Sequence, residues 1–144
     1  TEIGVKKIII LQTDRSIMKP GEGRINKWRQ IALHASEQSK RTEVPEINFG
    51  NINSIKGIKI AAILGSRLSI KETLEERQEI PKTITYIVGP EGDWTEEEKK
   101  DLLETGANPV TLGSTTLRVE TAALYGVAVI SEWIKKNTKK SKEY

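Results

Sequence analysis

At 144 residues, 36% hydrophobic and 30% charged with a net charge of +3, the chain has room for one domain with a single core and an ionic surface. It has no cysteine and one histidine, which excludes disulfides and thiolate chemistry and argues against a His-rich metal centre or a catalytic triad. No signal-peptide pattern opens the chain, and its longest apolar run, Ala122 to Ile130, is too short to span a bilayer, so the expectation is a soluble cytoplasmic protein with no membrane contact and no metal.

Thr1 to Gly4 reads as the end of a preceding element, with Gly4 as a helix C-cap running into a buried strand, Val5 to Leu11. That opening predicts a helix or domain upstream. Asp14 to Gly23 reads as a loop around Lys19-Pro20-Gly21. Ile25 to Ser39 has helical spacing, with Ile25, Trp28, Ile31, Ala32 and Ala35 on an apolar side. Lys27, Gln30, His34, Gln38 and Arg41 fall opposite, and His34 reads as a surface residue. The bases Lys19, Arg24, Lys27, Arg29, Lys40 and Arg41 face only Glu22 and Glu37 in this region, a face that either holds RNA or is simply solvated. Thr42 to Ile58 reads as an irregular connector, and Lys59 to Leu64 as a strand ending at Gly65-Ser66. A charged, exposed helix is expected over Ile70 to Ile80, stopped by Pro81.

A third strand, Ile84 to Val88, leads into Gly89-Pro90-Glu91-Gly92, where the glycines permit positive φ or close approach. Thr95 and Glu98 form a capping-box pattern for a helix that ends at Gly106. A glycine turn at a helix start is the geometry of an anion cradle, but Glu91, Asp93, Glu96, Glu97 and Glu98 surround this one and would repel a phosphate. A neutral or partly cationic ligand fits better. Asn108 to Leu112 reads as a fourth strand, followed by a polar loop. The last helix, Thr121 to Lys136, begins with residues apolar on every side, which implies burial all round against the core and a partner chain. Alternating strands and helices predict an α/β fold with a mainly parallel sheet flanked by helices. Such a sheet would bring Leu64-Gly65, Val88-Gly89 and Leu112-Gly113 to one edge, as at a ligand site.

Four ordered segments resemble the RsmE-type methyltransferases of the SPOUT superfamily, which methylate N3 of a uridine in small-subunit ribosomal RNA. They are Thr1-Glu2-Ile3-Gly4-Val5, Trp28 through Glu37-Gln38-Ser39-Lys40-Arg41 to Pro45, Gly89-Pro90-Glu91-Gly92-Asp93-Trp94-Thr95, and Leu112 through Arg118 to Glu120-Thr121-Ala122. The resemblance implies a single SPOUT domain over residues 1–144, with a C-terminal trefoil knot carrying an S-adenosylmethionine site. It further implies a homodimer through the last helix, ribosomal RNA as partner, and a PUA-like RNA-binding domain and first helix that precede this segment. The cofactor would lie against Leu64, Gly65, Gly89, Pro90, Glu91, Gly92, Leu112, Gly113, Ser114, Thr115, Thr116 and Leu117. Arg118 is the candidate catalytic residue, stabilising a developing uracil anion, with pairing to Glu120 or Glu91 as its plain structural role. Arg24, Lys27, Gln38 and Arg41 would help hold RNA. Two departures from the family pattern bear on the chemistry: Thr115 stands where it has arginine, and Val119 where it has threonine; Gly92-Asp93-Trp94 in place of its Gly-Gly-Phe keeps an aromatic residue and the capping Thr95. These departures keep open a non-catalytic dimerisation or RNA-binding module, or a SPOUT enzyme with another RNA target.

Overall fold

Five short parallel strands alternate with helices through residues 1–13 and 21–140, the part that the computed structural model describes. The expected loop at Asp14 to Gly23 falls mostly outside the described residues. Thr1 to Gly4 is a turn closed by Gly4 N–H to the Thr1 carbonyl at 3.0 Å, with Gly4 at φ +105°.

The first pair of strands is β1 (Lys7–Leu11) and β2 (Glu46–Gly50), in register from Lys7 with Glu46 to Leu11 with Gly50. The segment expected as a connector, Thr42 to Ile58, therefore holds a strand and a 3-10 turn at Ile52–Ser54. Asn48 and Gly50 hide that strand, because both are poor strand formers. Only Ile47 of β2 is fully buried, and Gly50 is needed because a Cβ there would come within 2.6 Å of Ile9 Cγ2. α1 (Glu22–Gln38) connects the two strands and packs on β2, burying Ile25, Ala32 and Ser36. Ile31, assigned above to its apolar side, is 57% exposed, because a two-stranded sheet is too narrow to cover the whole stripe.

The second sheet has β3 (Ile58–Ala62) at its centre, flanked by β4 (Ile84–Ile87) and β5 (Asn108–Val110), all parallel. The parallel α/β architecture stands, with its strands in two hydrogen-bonded groups rather than one sheet. One face buries Ile55, Ala61, Ile87, Trp94, Leu102 and Ala107, and Leu11 at the end of β1 packs against them. The other buries Ile60, Ile70, Leu74, Val110, Ile130 and Trp133. Alternate β3 residues thus point to opposite cores, as a strand period of two requires.

Three helices complete the layers: α2 (Ile70–Glu75), α3 (Glu96–Glu104) and α4 (Val119–Lys140). α2 stops well short of Ile80. A Ser69–Glu72 capping box starts it and Leu74 anchors it, but Glu76 to Glu79 offers the core nothing apolar to continue on. α3 ends as its glycine predicts: Gly106, at φ +79°, donates to Leu103 and Ala107 donates to Leu102, a Schellman motif. α4 is not buried all round. Ala122, Gly126, Ile130 and Trp133 form one buried stripe, while Leu124 and Tyr125 are 61% and 46% exposed. β4 and α2 cover one side of the helix, with Val129 and Ile134 also packed against that core, while Leu124 and Tyr125 face outward.

Candidate active site

Parallel strands deliver their carboxyl ends to one edge, and here those ends surround a cleft of about 560 Å³, within the range of small-molecule sites. β3 supplies Ala62 to Gly65, β4 supplies Val88 to Glu91, and β5 leads through Leu112 and Gly113 to the loop Thr115–Arg118 and the start of α4. Of the residues expected at a cofactor, Leu64, Gly65, Gly89, Pro90, Glu91, Leu112, Gly113, Thr115, Thr116 and Leu117 line it, whereas Gly92 and Ser114 do not. Arg118 lines it too, exposed, and its guanidinium has no hydrogen bond or ion pair among the described residues. The expected pairing with Glu120 or Glu91 is absent there.

Each wall is held by local chemistry. After β3, Ser66 bonds back to the Ile63 carbonyl through its N–H (3.3 Å) and its hydroxyl (2.8 Å), with Gly65 at φ +81° between them. After β5, the Thr111 hydroxyl brackets Gly113, whose φ is +130°. After β4, Asp93 N–H closes a turn on the Pro90 carbonyl at 3.0 Å. The positive φ of this turn falls on Asp93 (+58°), a residue type that tolerates the left-handed region.

The acidic surroundings resolve into separate duties. Thr95 Oγ1 accepts from Glu98 N–H (3.1 Å) and Glu98 Oε2 accepts from Thr95 N–H (2.8 Å), the expected capping box. Lys99 Nζ reaches Glu96 at 3.0 Å and Asp93 at 3.4 Å; its hydrogen bond to Glu96 chiefly, with Asp93 adding, raises its pKa. Glu91, Asp93 and Glu120 line the cleft itself, which favours a neutral or cationic ligand over an anion.

Trp94 went unassigned in the sequence. Its side chain is 1% exposed and donates from Nε1 to the Ala62 carbonyl at 3.0 Å, and a Cβ on Gly89 would fall 2.9 Å from that nitrogen. An aromatic two residues beyond the glycine turn was its visible signal. Glu120 was read only as a partner for Arg118, and its place in the first turn of α4 brings it to the cleft.

The four residues expected at RNA do not line this cleft. Arg24 and Lys27 are exposed near the start of α1, and Gln38 lies at its end, about 21 Å along the axis from Arg24 at 1.5 Å per residue. Arg41 is half-buried and donates to the carbonyls of Val5 (3.0 Å) and Thr1, so it ties down the segment before β1. His34 is exposed beside Glu37, at 3.6 Å. A separate depression of about 500 Å³, lined by Thr73, Glu76 to Glu79 and Pro81, shares none of the cleft's residues. No group of His, Cys, Asp and Glu among the described residues is arranged to hold a metal, and no helix there is long and apolar enough to cross a membrane.

Strand ends, glycines and a helix start converging on one cleft give the α/β arrangement in which a ligand site lies at the carboxyl edge of the sheet. More narrowly, residues 1–131 match the model of the RNA methyltransferase domain, and the chain belongs to that family. It is 31% identical over 139 residues to the ribosomal RNA small subunit methyltransferase E of Synechocystis, covering 91% of this chain and 46% of that protein. The protein of the same name from Bacillus subtilis is 30% identical over 148 residues, covering 91% and 57%. The chain spans about half the length of the curated relatives it matches. Among solved structures, Lpg2936 of Legionella pneumophila, in complex with the cofactor SAM, superposes with a TM-score of 0.81 at 26% identity, over 91% of this chain and 57% of that one. The ribosomal RNA small subunit methyltransferase E of Neisseria gonorrhoeae, bound to S-adenosyl methionine, gives 0.75 at 31% identity, over 90% and 56%.

Proposed function

We propose that this chain is an S-adenosylmethionine-dependent methyltransferase domain acting on small-subunit ribosomal RNA, with N3 of a uridine as the acceptor. The observation that carries the reading is the cleft shared by three strand ends, in a fold matched by structures solved with that cofactor. The residues present suit the molecule. Leu64, Val88, Leu112 and Leu117 offer apolar walls for an adenine, the glycine-bearing turns let backbone amides and carbonyls approach it, and the lining carboxylates suit a cationic centre.

When bound, the cofactor supplies an electrophilic methyl group on its sulfonium. The chain's residues hold and orient. Transfer to a nitrogen is an in-line displacement that needs no enzyme nucleophile, consistent with a chain that has no cysteine. Alignment of the two reactants accounts for most of the acceleration. Arg118, whose guanidinium has no hydrogen bond or ion pair among the described residues, hydrogen-bonds the uracil oxygen on which negative charge develops as the N3 proton passes to solvent. With Thr115 in place of the family's arginine, this role falls more heavily on Arg118. Arg24, Lys27 and Gln38 are the RNA contacts of the reading, and Arg41 serves the fold first.

The same reading takes residues 1–144 as one SPOUT domain knotted around the cleft, working in the cytoplasm with a PUA-like RNA-binding domain. It makes the active form a homodimer through the outward apolar face of α4. The test is methyl transfer from labelled cofactor to unmodified small-subunit RNA by the full-length protein, with the modified nucleotide mapped. One uridine methylated at N3, with the signal lost in Arg118→Ala, is expected. Inactivity with intact cofactor binding would instead favour the non-catalytic module.

A further inference from the structure

The β3–β4 ladder ends at the pair Ala61–Ile87, one residue short of the cleft. The next β3 carbonyl, that of Ala62, accepts from a side chain, Trp94 Nε1–H at 3.0 Å. The same indole lies so close to the end of β4 that Gly89 has no room for a Cβ, which would sit 2.9 Å from Nε1 and 3.0 Å from Cε2. Ala62 and Gly89 both line the cleft, while Trp94 itself is 1% exposed and sits in the core with Ala61, Ile87 and Leu102. One buried side chain therefore touches two walls of the site at the point where the strands stop holding each other.

We infer that Trp94 is a positioning residue for the cofactor: its indole sets the gap between the Ala62–Gly65 wall and the Val88–Glu91 wall, and so sets the affinity for S-adenosylmethionine. The inference rests on the cofactor reading above. A ring that merely filled the core would need no donor. Here the donor satisfies a strand-end carbonyl, and the opposing residue is a glycine that lets the ring approach edge to backbone. Phenylalanine would fill most of the same space and leave the Ala62 carbonyl without its partner.

Trp94→Phe separates the two roles. Calorimetry should show S-adenosylmethionine binding roughly tenfold weaker than to the unaltered chain, because walls no longer held at the right gap occupy the binding-competent arrangement only part of the time. Circular dichroism at the assay temperature should remain native. A purely structural role would lower the melting temperature and leave the affinity of the folded protein unchanged, and that result overturns the inference. A second measurement needs no variant to fold. In the ¹⁵N-labelled chain, the Trp94 indole N–H should exchange slowly with solvent and shift when S-adenosylmethionine is added; a fast-exchanging or unmoved signal overturns the inference as well. An unaltered chain that fails to bind the cofactor would sink both this inference and the reading beneath it. Equal binding by the unaltered chain and Trp94→Phe would sink this inference alone.

Discussion

Gly89 has room for a hydrogen and nothing larger. A Cβ would press on the buried indole of Trp94 at 2.9 to 3.2 Å, and neither the ring nor the strand end can retreat without disturbing Ala62. Gly89→Val is therefore expected to lower stability by about 1–3 kcal/mol, as overpacking does, and to abolish detectable S-adenosylmethionine binding in the protein that still folds. Chemical denaturation and calorimetry on the same sample check both parts, and unaltered affinity would contradict the placement of this wall. At this scale the sequence was informative about residue type and less so about reason. Gly-Pro-Glu-Gly announced a turn, but the left-handed residue is Asp93, and Gly89 is required by a neighbour whose position no local pattern reveals. The carboxylates around the turn were legible as a barrier to anions. Their separate duties, one capping α3 and two sharing Lys99, became visible only with distances.

At the scale of elements, the junction of β4 and α4 carries a pH-dependent contact. Tyr86 seats its ring against Gly126, where a Cβ would fall 2.1 Å from the ring, and its hydroxyl donates to the Ala122 carbonyl at 3.1 Å. Burial raises its pKa above the ordinary 10.0, with Tyr125 adding to the shift. A raised pKa means that the fold prefers the neutral phenol. Its contribution to stability is fully present below pH 10 and is lost as the pH climbs from there toward the raised value. Melting temperatures above pH 10 should fall more steeply for the unaltered chain than for Tyr86→Phe, and parallel slopes would contradict the account. Elements with caps written into them were read correctly: Thr95 and Glu98 open α3, and Gly106 closes it. β2 was missed because its pairing partner, β1, lies far away in sequence and Asn48 and Gly50 interrupt it with poor strand formers. α2 was drawn too long because charged residues have good helix propensity, yet a helix on a sheet persists only while it has something to bury. Burial of α4 was overestimated for a related reason: an apolar circumference says what a helix can bury, not what is there to cover it.

At the scale of the whole molecule, that uncovered surface and the cleft belong to one account. Leu124 and Tyr125 expose an apolar patch on the helix whose first turn brings Glu120 to the cleft. If a second copy covers the patch, Leu124→Glu should convert a dimer into a monomer in sedimentation velocity, and an unchanged sedimentation coefficient would contradict that arrangement. The convergence of three glycine-bearing strand ends was legible in the sequence because parallel strands share a direction. The wedge of Trp94 between two of them was not, because it depends on where a ladder stops. The most direct test of the central claim is titration of the purified chain with S-adenosylmethionine in a calorimeter. The account predicts saturable binding of one cofactor per chain with a micromolar Kd, and the absence of both heat and any thermal shift at saturating ligand would contradict it.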